Sequence, residues 1–222
     1  MFVLLGIAAY ALAMVATMPA GVALGNRSWR TGIAGTVWNG EVGVAGGSKV
    51  EWNWAPLRSL TSLAFAADWK ATGPDTDMGG RGLMRFGRTV LDQVSGSGHA
   101  SLLDALQPNL PFTCDLVMQT QFDRIAIGGS GQMIDGKLTT DPGTCSPKAG
   151  GAPVPVPSLL LTAEKIGTTT RIRIAPAQQR RQTLVDATLS EDGALSLRLT
   201  PDGARVLPFV GLPAGAAIAG QL

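Results

Sequence analysis

Met1 to Asn26 holds no charged side chain; Arg27 is the first. Within this stretch, Phe2 to Ala16 is apolar all round and compatible with a helix. A helix of that kind belongs in lipid or deep in a core. A bilayer core about 30 Å thick is spanned by roughly 20 apolar helical residues, and Met1 to Leu24 can supply them. A secretory signal is the alternative, but its apolar stretch is short and preceded by basic residues. Here the run is longer and no Lys or Arg precedes it, so a retained anchor over residues 1–25 is expected. A short basic leader ahead of Met1 would fit that expectation.

Residues 26–222 read as one β domain. The 29 Gly and 14 Pro of the 222 residues disfavour long helices and favour short strands joined by tight turns. Asn39-Gly40 suggests a hairpin of type I′, because both central residues of that turn need positive φ. Lys49 to Trp54 alternates, which puts Val50, Trp52 and Trp54 on one face. Leu63, Phe65, Ala67 and Trp69 repeat the pattern. Short helices are expected over Leu57–Ser62, after Pro56, and over Ser101–Leu106, before Pro108. Asp135-Gly136 and Asp192-Gly193 mark further turns. Asp141 to Pro157, rich in Pro and Gly, reads as a loop and as the best internal boundary. The expected fold is mainly β: an N-terminal transmembrane helix, then a curved antiparallel sheet, half-barrel or sandwich-like, with one or two short helices.

Cys114 and Cys145 are the only cysteines and His99 the only histidine, so Cys and His cannot make a four-ligand zinc site. Outside the cytoplasm two separated cysteines most simply form one disulfide; two unrelated buried thiols are the alternative. The disulfide reading places the β domain on the oxidising side of the membrane and the N-terminus inside. The charges nearest the helix, Arg27 and Arg30, would by themselves favour the reverse.

Little else in the chain suggests chemistry. His99 lies in a small polar turn, Ser95 to His99, with no G-x-S-x-G elbow. Gly128-Gly129-Ser130-Gly131 lacks the Lys-Ser/Thr of a phosphate loop. Asp75 with Asp77, and Asp135 with Asp141, sit in Gly/Pro turns, where Asp is common for backbone reasons. A net charge of +2 without a basic block gives no footprint for nucleic acid. No catalytic residue, metal site or cofactor is therefore expected. The five tryptophans all fall in the first third of the chain. Trp29, with Arg27 and Arg30, suits a membrane interface. Trp38, Trp52, Trp54 and Trp69 form a candidate interaction face, or else pack as core.

The N-terminal anchor, Gly35-Thr36-Val37-Trp38-Asn39-Gly40 and Val50-Glu51-Trp52-Asn53-Trp54-Ala55-Pro56-Leu57 together resemble type II secretion system protein N. Gly73-Pro74-Asp75 and Gly80-Arg81-Gly82 extend the resemblance, which is most specific over residues 32–82. It implies a single-pass inner-membrane protein of a Gram-negative bacterium with its β domain in the periplasm. Such a protein is an accessory, non-enzymatic part of the machine that exports folded proteins across the outer membrane, with other subunits of that machine as partners. A periplasmic module binding lipid or another hydrophobic ligand is the competing expectation. An apolar concave face left uncovered would favour lipid, and a face filled by its own side chains would favour a scaffold.

Overall fold

The computed structural model describes residues 2–24, 30–44, 47–107 and 109–221. The chain opens with helix α1 (Phe2–Ala16) and a short α2 (Ala20–Leu24). Strands β1 (Arg30–Gly35), β2 (Asn39–Val44) and β3 (Ser48–Trp54) then lead to α3 (Pro56–Ser62). Strands β4 (Phe65–Gly73), β5 (Thr76–Arg85) and β6 (Arg88–His99) lead to α4 (Ser101–Leu106). After these come β7 (Phe112–Asp115), β8 (Val117–Ile127), β9 (Met133–Thr140), β10 (Gly143–Pro147) and β11 (Val154–Val156). The last run is β12 (Leu159–Ile166), β13 (Thr169–Pro176), β14 (Val185–Ser190) and β15 (Ala194–Leu199), then α5 (Pro201–Val206), a 3₁₀ turn (Pro208–Val210) and β16 (Ala217–Gln221).

Thirteen strands make one open antiparallel sheet, in the order β1-β2-β3-β4-β5-β6-β8-β9-β12-β13-β14-β15-β16. The other three, β11-β10-β7, form a small second sheet. The mainly β, antiparallel, unclosed architecture follows the reading of the sequence. The membrane-spanning helix does not: no described helix is long and apolar enough to cross a membrane. Helix α1 stops at Ala16, because Pro19 lacks the amide a continuing helix would need. Pro19 instead bridges to Thr36, and α2 folds back on β1 with Ala20 buried.

The sheet's two faces differ in chemistry. Directly paired residues share a face, so the register defines an apolar row across most of the sheet. It runs Val42, Val50, Ala71, Met78, Gly96, Thr120, Leu138, Leu161, Ile174, Val185, Leu199. This inner face continues into the main core. There the small sheet and the segment from α5 to the 3₁₀ turn pack Leu116, Val156, Leu207 and Phe209 onto Val185 and Leu199. Phe112 meets Phe209 edge to face, with centroids 5.0 Å apart. Thr200 caps α5 by accepting the Gly203 amide, with Pro201 in the first turn.

Two turn signals land differently from their sequence reading. Asn39 and Gly40 lie inside β2, and residues 36–38 make the hairpin tip. Asp135 and Gly136 lie inside β9, where Gly136 takes φ 145° at a register shift opposite Phe122. That is a bulge and not a turn. The Asp192-Gly193 hairpin forms as expected, with the Gly193 amide donating to Ser190. Asp141–Pro157 holds β10 and β11 instead of being loop throughout.

Candidate functional site

Successive hairpins fix which turns share an end of the sheet. The turns after β1, β3, β5, β8, β12 and β14 lie at one end. The turns after β2, β4, β13 and β15, with α4, α5 and the small sheet, lie at the other. The tryptophans and α1 meet at the first end.

Trp38 occupies the tip between β1 and β2. Its indole Nε1–H donates to the Val15 carbonyl at 2.9 Å. That carbonyl is among the last four of α1, which have no partner within the helix. The Val37 amide donates to the Met18 carbonyl, and the Thr17 hydroxyl to the Ala13 carbonyl. The C-terminus of α1 is thus held by the tip of one hairpin. The Trp38 ring also lies 4.8 Å from Trp54 and 6.2 Å from Phe65, centroid to centroid.

Trp52 and Trp69 are paired across β3 and β4. Their neighbours in the same row are glycines: Gly40 beside Trp52, and Gly80 beside Trp69. A Cβ on Gly40 would stand 2.6 Å from the Trp52 ring, and one on Gly80 3.3 Å from the Trp69 ring. The rings therefore lie flat over neighbouring strands where a side chain would otherwise stand. Trp52 Nε1–H donates to the Val37 carbonyl, and Trp54 Nε1–H to the Ser59 hydroxyl of α3. Trp69 Nε1–H is buried without an acceptor. Trp54 remains 38% exposed, and Trp38, Trp52 and Trp69 are half-buried. The four tryptophans form a joint between helix and sheet, neither a closed core nor an open pocket.

Arg27 and Trp29 lie outside the described residues. Arg30 starts β1, opposite Val44, at the end of the sheet away from the α1 joint.

No family model, curated protein or solved structure matches this chain.

Cys114 and Cys145 form a disulfide between directly paired residues of β7 and β10, with Cα atoms 4.1 Å apart. Cys145 is 1% exposed and belongs to the main core. His99 does meet a hydroxyl and a carboxylate: Ser101 Oγ lies 3.0 Å from Nδ1, and Asp115 Oδ1 3.1 Å from Nε2. Nδ1 also accepts the Ser101 backbone amide, so its contact is the first turn of α4. Asp115 is 86% exposed. The cluster clasps α4 to β7; an activated nucleophile needs a base aligned on it in a water-shielded cleft, and this one lies open. Asp77 pairs with Lys70, while Asp135 stands in the row beside Arg124. Among the described residues, no three His, Cys, Asp or Glu gather as metal ligands.

The register also reveals what sequence reading missed. On the outer face Asn53, Asp68, Arg81, Asp92, Arg124 and Asp135 are paired in one row across six strands. Arg124 holds Asp92 through two nitrogens, at 2.7 and 3.3 Å, and Arg58 of α3 reaches Asp68 at 2.6 Å. Asp92 shifts the Arg124 guanidinium further above its ordinary range, through the hydrogen bond first and charge attraction second. Arg81, Asp92, Arg124 and Asp135 of this row, with Arg58, line an open concavity of about 550 Å³ with mixed charge. Acid–base alternation within each strand was visible, but the row exists only through the pairing.

Proposed function

We propose that this chain is a membrane-tethered, non-enzymatic scaffold, an accessory inner-membrane component of the type II secretion system, as its resemblance to protein N implies. The observation that carries the reading is the exposure of α1. Val3, Leu4, Ile7, Tyr10, Leu12 and Met14 all stand more than half exposed around the helix, so no side of it is covered by protein. An all-round apolar helix left in water is costly, and a bilayer removes that cost. At 15 residues α1 is about 22 Å long, short of the ~30 Å core. Immersion of α1, with the single crossing completed by flanking residues, is the tether of this proposal. The disulfide supports a periplasmic location for the sheet.

The scaffold reading draws on the sheet's edges. Strand β16 ends the sheet with all five residues exposed. Such an edge offers unpaired backbone groups to an added strand. The opposite edge, β1, is partly covered by α2 and broken by a register shift near Arg30. Photo-crosslinking in cells from Ala219 tests the reading. Adducts with a secretion-system subunit are expected, and an absence of protein adducts would remove it. The lipid reading is kept by one observation: the inner face of the N-terminal half is lined by residues only half-buried, Val50, Trp52, Met78 and Leu91 among them. Phospholipid retained by the purified protein at a fixed ratio would favour that alternative.

A further inference from the structure

We infer that the sheet's α1 end is itself a membrane-docking rim, touching the same lipid surface into which α1 inserts. This inference rests on the tether proposed above and adds a second, independent contact. After α2, ten large apolar side chains stand exposed among the described residues, and only two, Leu103 and Ile218, lie away from this end. Leu57, Leu60 and Leu63 project from and beyond α3, each more than 70% exposed. Met84 and Phe86 occupy the next tip, with Phe86 fully exposed at 109%. Ile127 and Ile166 sit at the two tips after that. At about 4.8 Å per strand, β1 to β13 makes an arc of roughly 40 Å along one edge. The last tip on this edge, Glu191-Asp192-Gly193, is polar and ends the stripe.

Two features set this apart from scattered surface leucines, which are ordinary. Leu63 caps α3 with φ 47° while standing 88% exposed. That position usually takes Gly or Asn, so a bulky apolar residue there is unfavourable both in backbone strain and in hydration. An observed outlier of this kind points to function. The second feature is charge. Arg85 and Arg88 flank Phe86 and donate to the backbone carbonyls of Ser62 and Gly131, with no carboxylate paired to either among the described residues. Their positive charge is left to an external anion. Apolar tips beside unneutralised arginines suit an anionic lipid headgroup layer. Continuity with α1, which leaves from this same edge at Trp38, makes the occupant a lipid monolayer and not a soluble protein.

The full chain, with its disulfide intact, would be labelled with an environment-sensitive dye at a single introduced cysteine: Leu5→Cys, Phe86→Cys or Leu103→Cys. Each would be reconstituted into phosphatidylcholine–phosphatidylglycerol vesicles carrying a quencher on the acyl chain. The label at 86 should lose about half its emission, as expected for a group 5–10 Å into the headgroup–acyl boundary, while that at 103 stays unquenched. Emission at 86 matching that at 103 overturns the rim. If position 5 is then quenched, the tether stands without the rim; if 5 is also wet, both fail. Quenching at 86 with a wet position 5 removes the tether and, with it, the lipid surface shared with α1 that is inferred here. All three positions are exposed, so labelling leaves the fold undisturbed.

Discussion

The two halves of the sheet solve burial in different ways. In the C-terminal half, large side chains disappear: Leu184, Leu189 and Leu199 are at most 1% exposed, Leu184 and Leu199 of them under a lid stapled by a disulfide. In the N-terminal half, full burial is confined to small residues such as Val42, Ala66, Ala71 and Val90. The large ones, Trp52 and Trp69, lie flat and half-buried over glycines. The C-terminal half is a packed body. The N-terminal half is a thin wall whose rings shield the sheet without thickening it. A wall of this kind costs hydrophobic stabilisation, but it leaves an apolar surface and an apolar edge available to something else.

The contrast makes Leu184→Ala the most damaging single change, with a loss of about 3–5 kcal/mol from a site that cannot collapse. Chemical denaturation would show it. A loss under about 1 kcal/mol would mean that the C-terminal half is no better packed than the wall. Replacing Cys114 and Cys145 together with Ala should cost about 3–4 kcal/mol, since the bond closes a 31-residue loop. Reduction of the wild-type protein should lower its melting temperature comparably, and an unchanged melting temperature would show the lid to be held by packing alone.

Gly40→Ala probes the wall. Its new methyl would meet the Trp52 ring at 2.6 Å, a clash of the kind that costs about 1–3 kcal/mol in a fixed environment. The methyl would also stand 2.7 Å from the Ala34 carbonyl, so adding Trp52→Leu should recover only the part of the loss that the ring causes. If the single change is neutral, the ring is free to swing, and the wall is looser than its geometry implies.

The sequence already showed the wall in outline. Alternation in Lys49–Trp54 put Trp52 and Trp54 on one face, and the Pro56 helix formed as expected. The disulfide was the simpler of two readings for a pair of separated cysteines outside the cytoplasm, and it formed. What stayed hidden depended on register. The outer charge row, which runs from Asn53 to Asp135, and the Trp-over-Gly pairs join residues of different strands, and periodicity within one strand cannot reveal which strand lies beside it. The break in the N-terminal helix was legible at Pro19. Its fold-back was not, because it depends on an edge strand accepting α2. The apolar rim was hidden for another reason: Leu57, Leu60, Met84 and Phe86 look like ordinary core residues until the fold leaves them outside.

Trp38→Phe separates joint from wall. It keeps the ring contacts with Trp54 and Phe65 and deletes one hydrogen bond to Val15, a loss of about 1 kcal/mol. Global unfolding should barely move, since α1 is not part of the core. Proteolysis around Thr17–Met18 should accelerate several-fold in detergent. Equal cleavage rates would mean that α1 is held by the Val37 amide alone.

The smallest effect is electrostatic. Glu41 and Glu51 face each other across β2 and β3, and Lys49 bridges both. The Glu51 carboxyl is held below the ordinary carboxylate range, by the Lys49 hydrogen bond first and its charge second. A carboxyl lowered on folding adds stability above its unfolded value, and that stability fades as pH falls through the folded one. The contribution is fully present at neutral pH. Lys49→Met removes it and leaves two like charges opposed, which is itself unfavourable. The variant should therefore melt slightly below wild type at pH 7, and the gap should close as pH falls through the lowered range of the Glu51 carboxyl, where that group takes up its proton. Because the groups are open to solvent, added salt should narrow the gap in the same direction. A gap that persists in acid would trace instead to the lysine's hydrocarbon stem packing on β3, and the thin wall would then be held by contact where charge had been assigned the role.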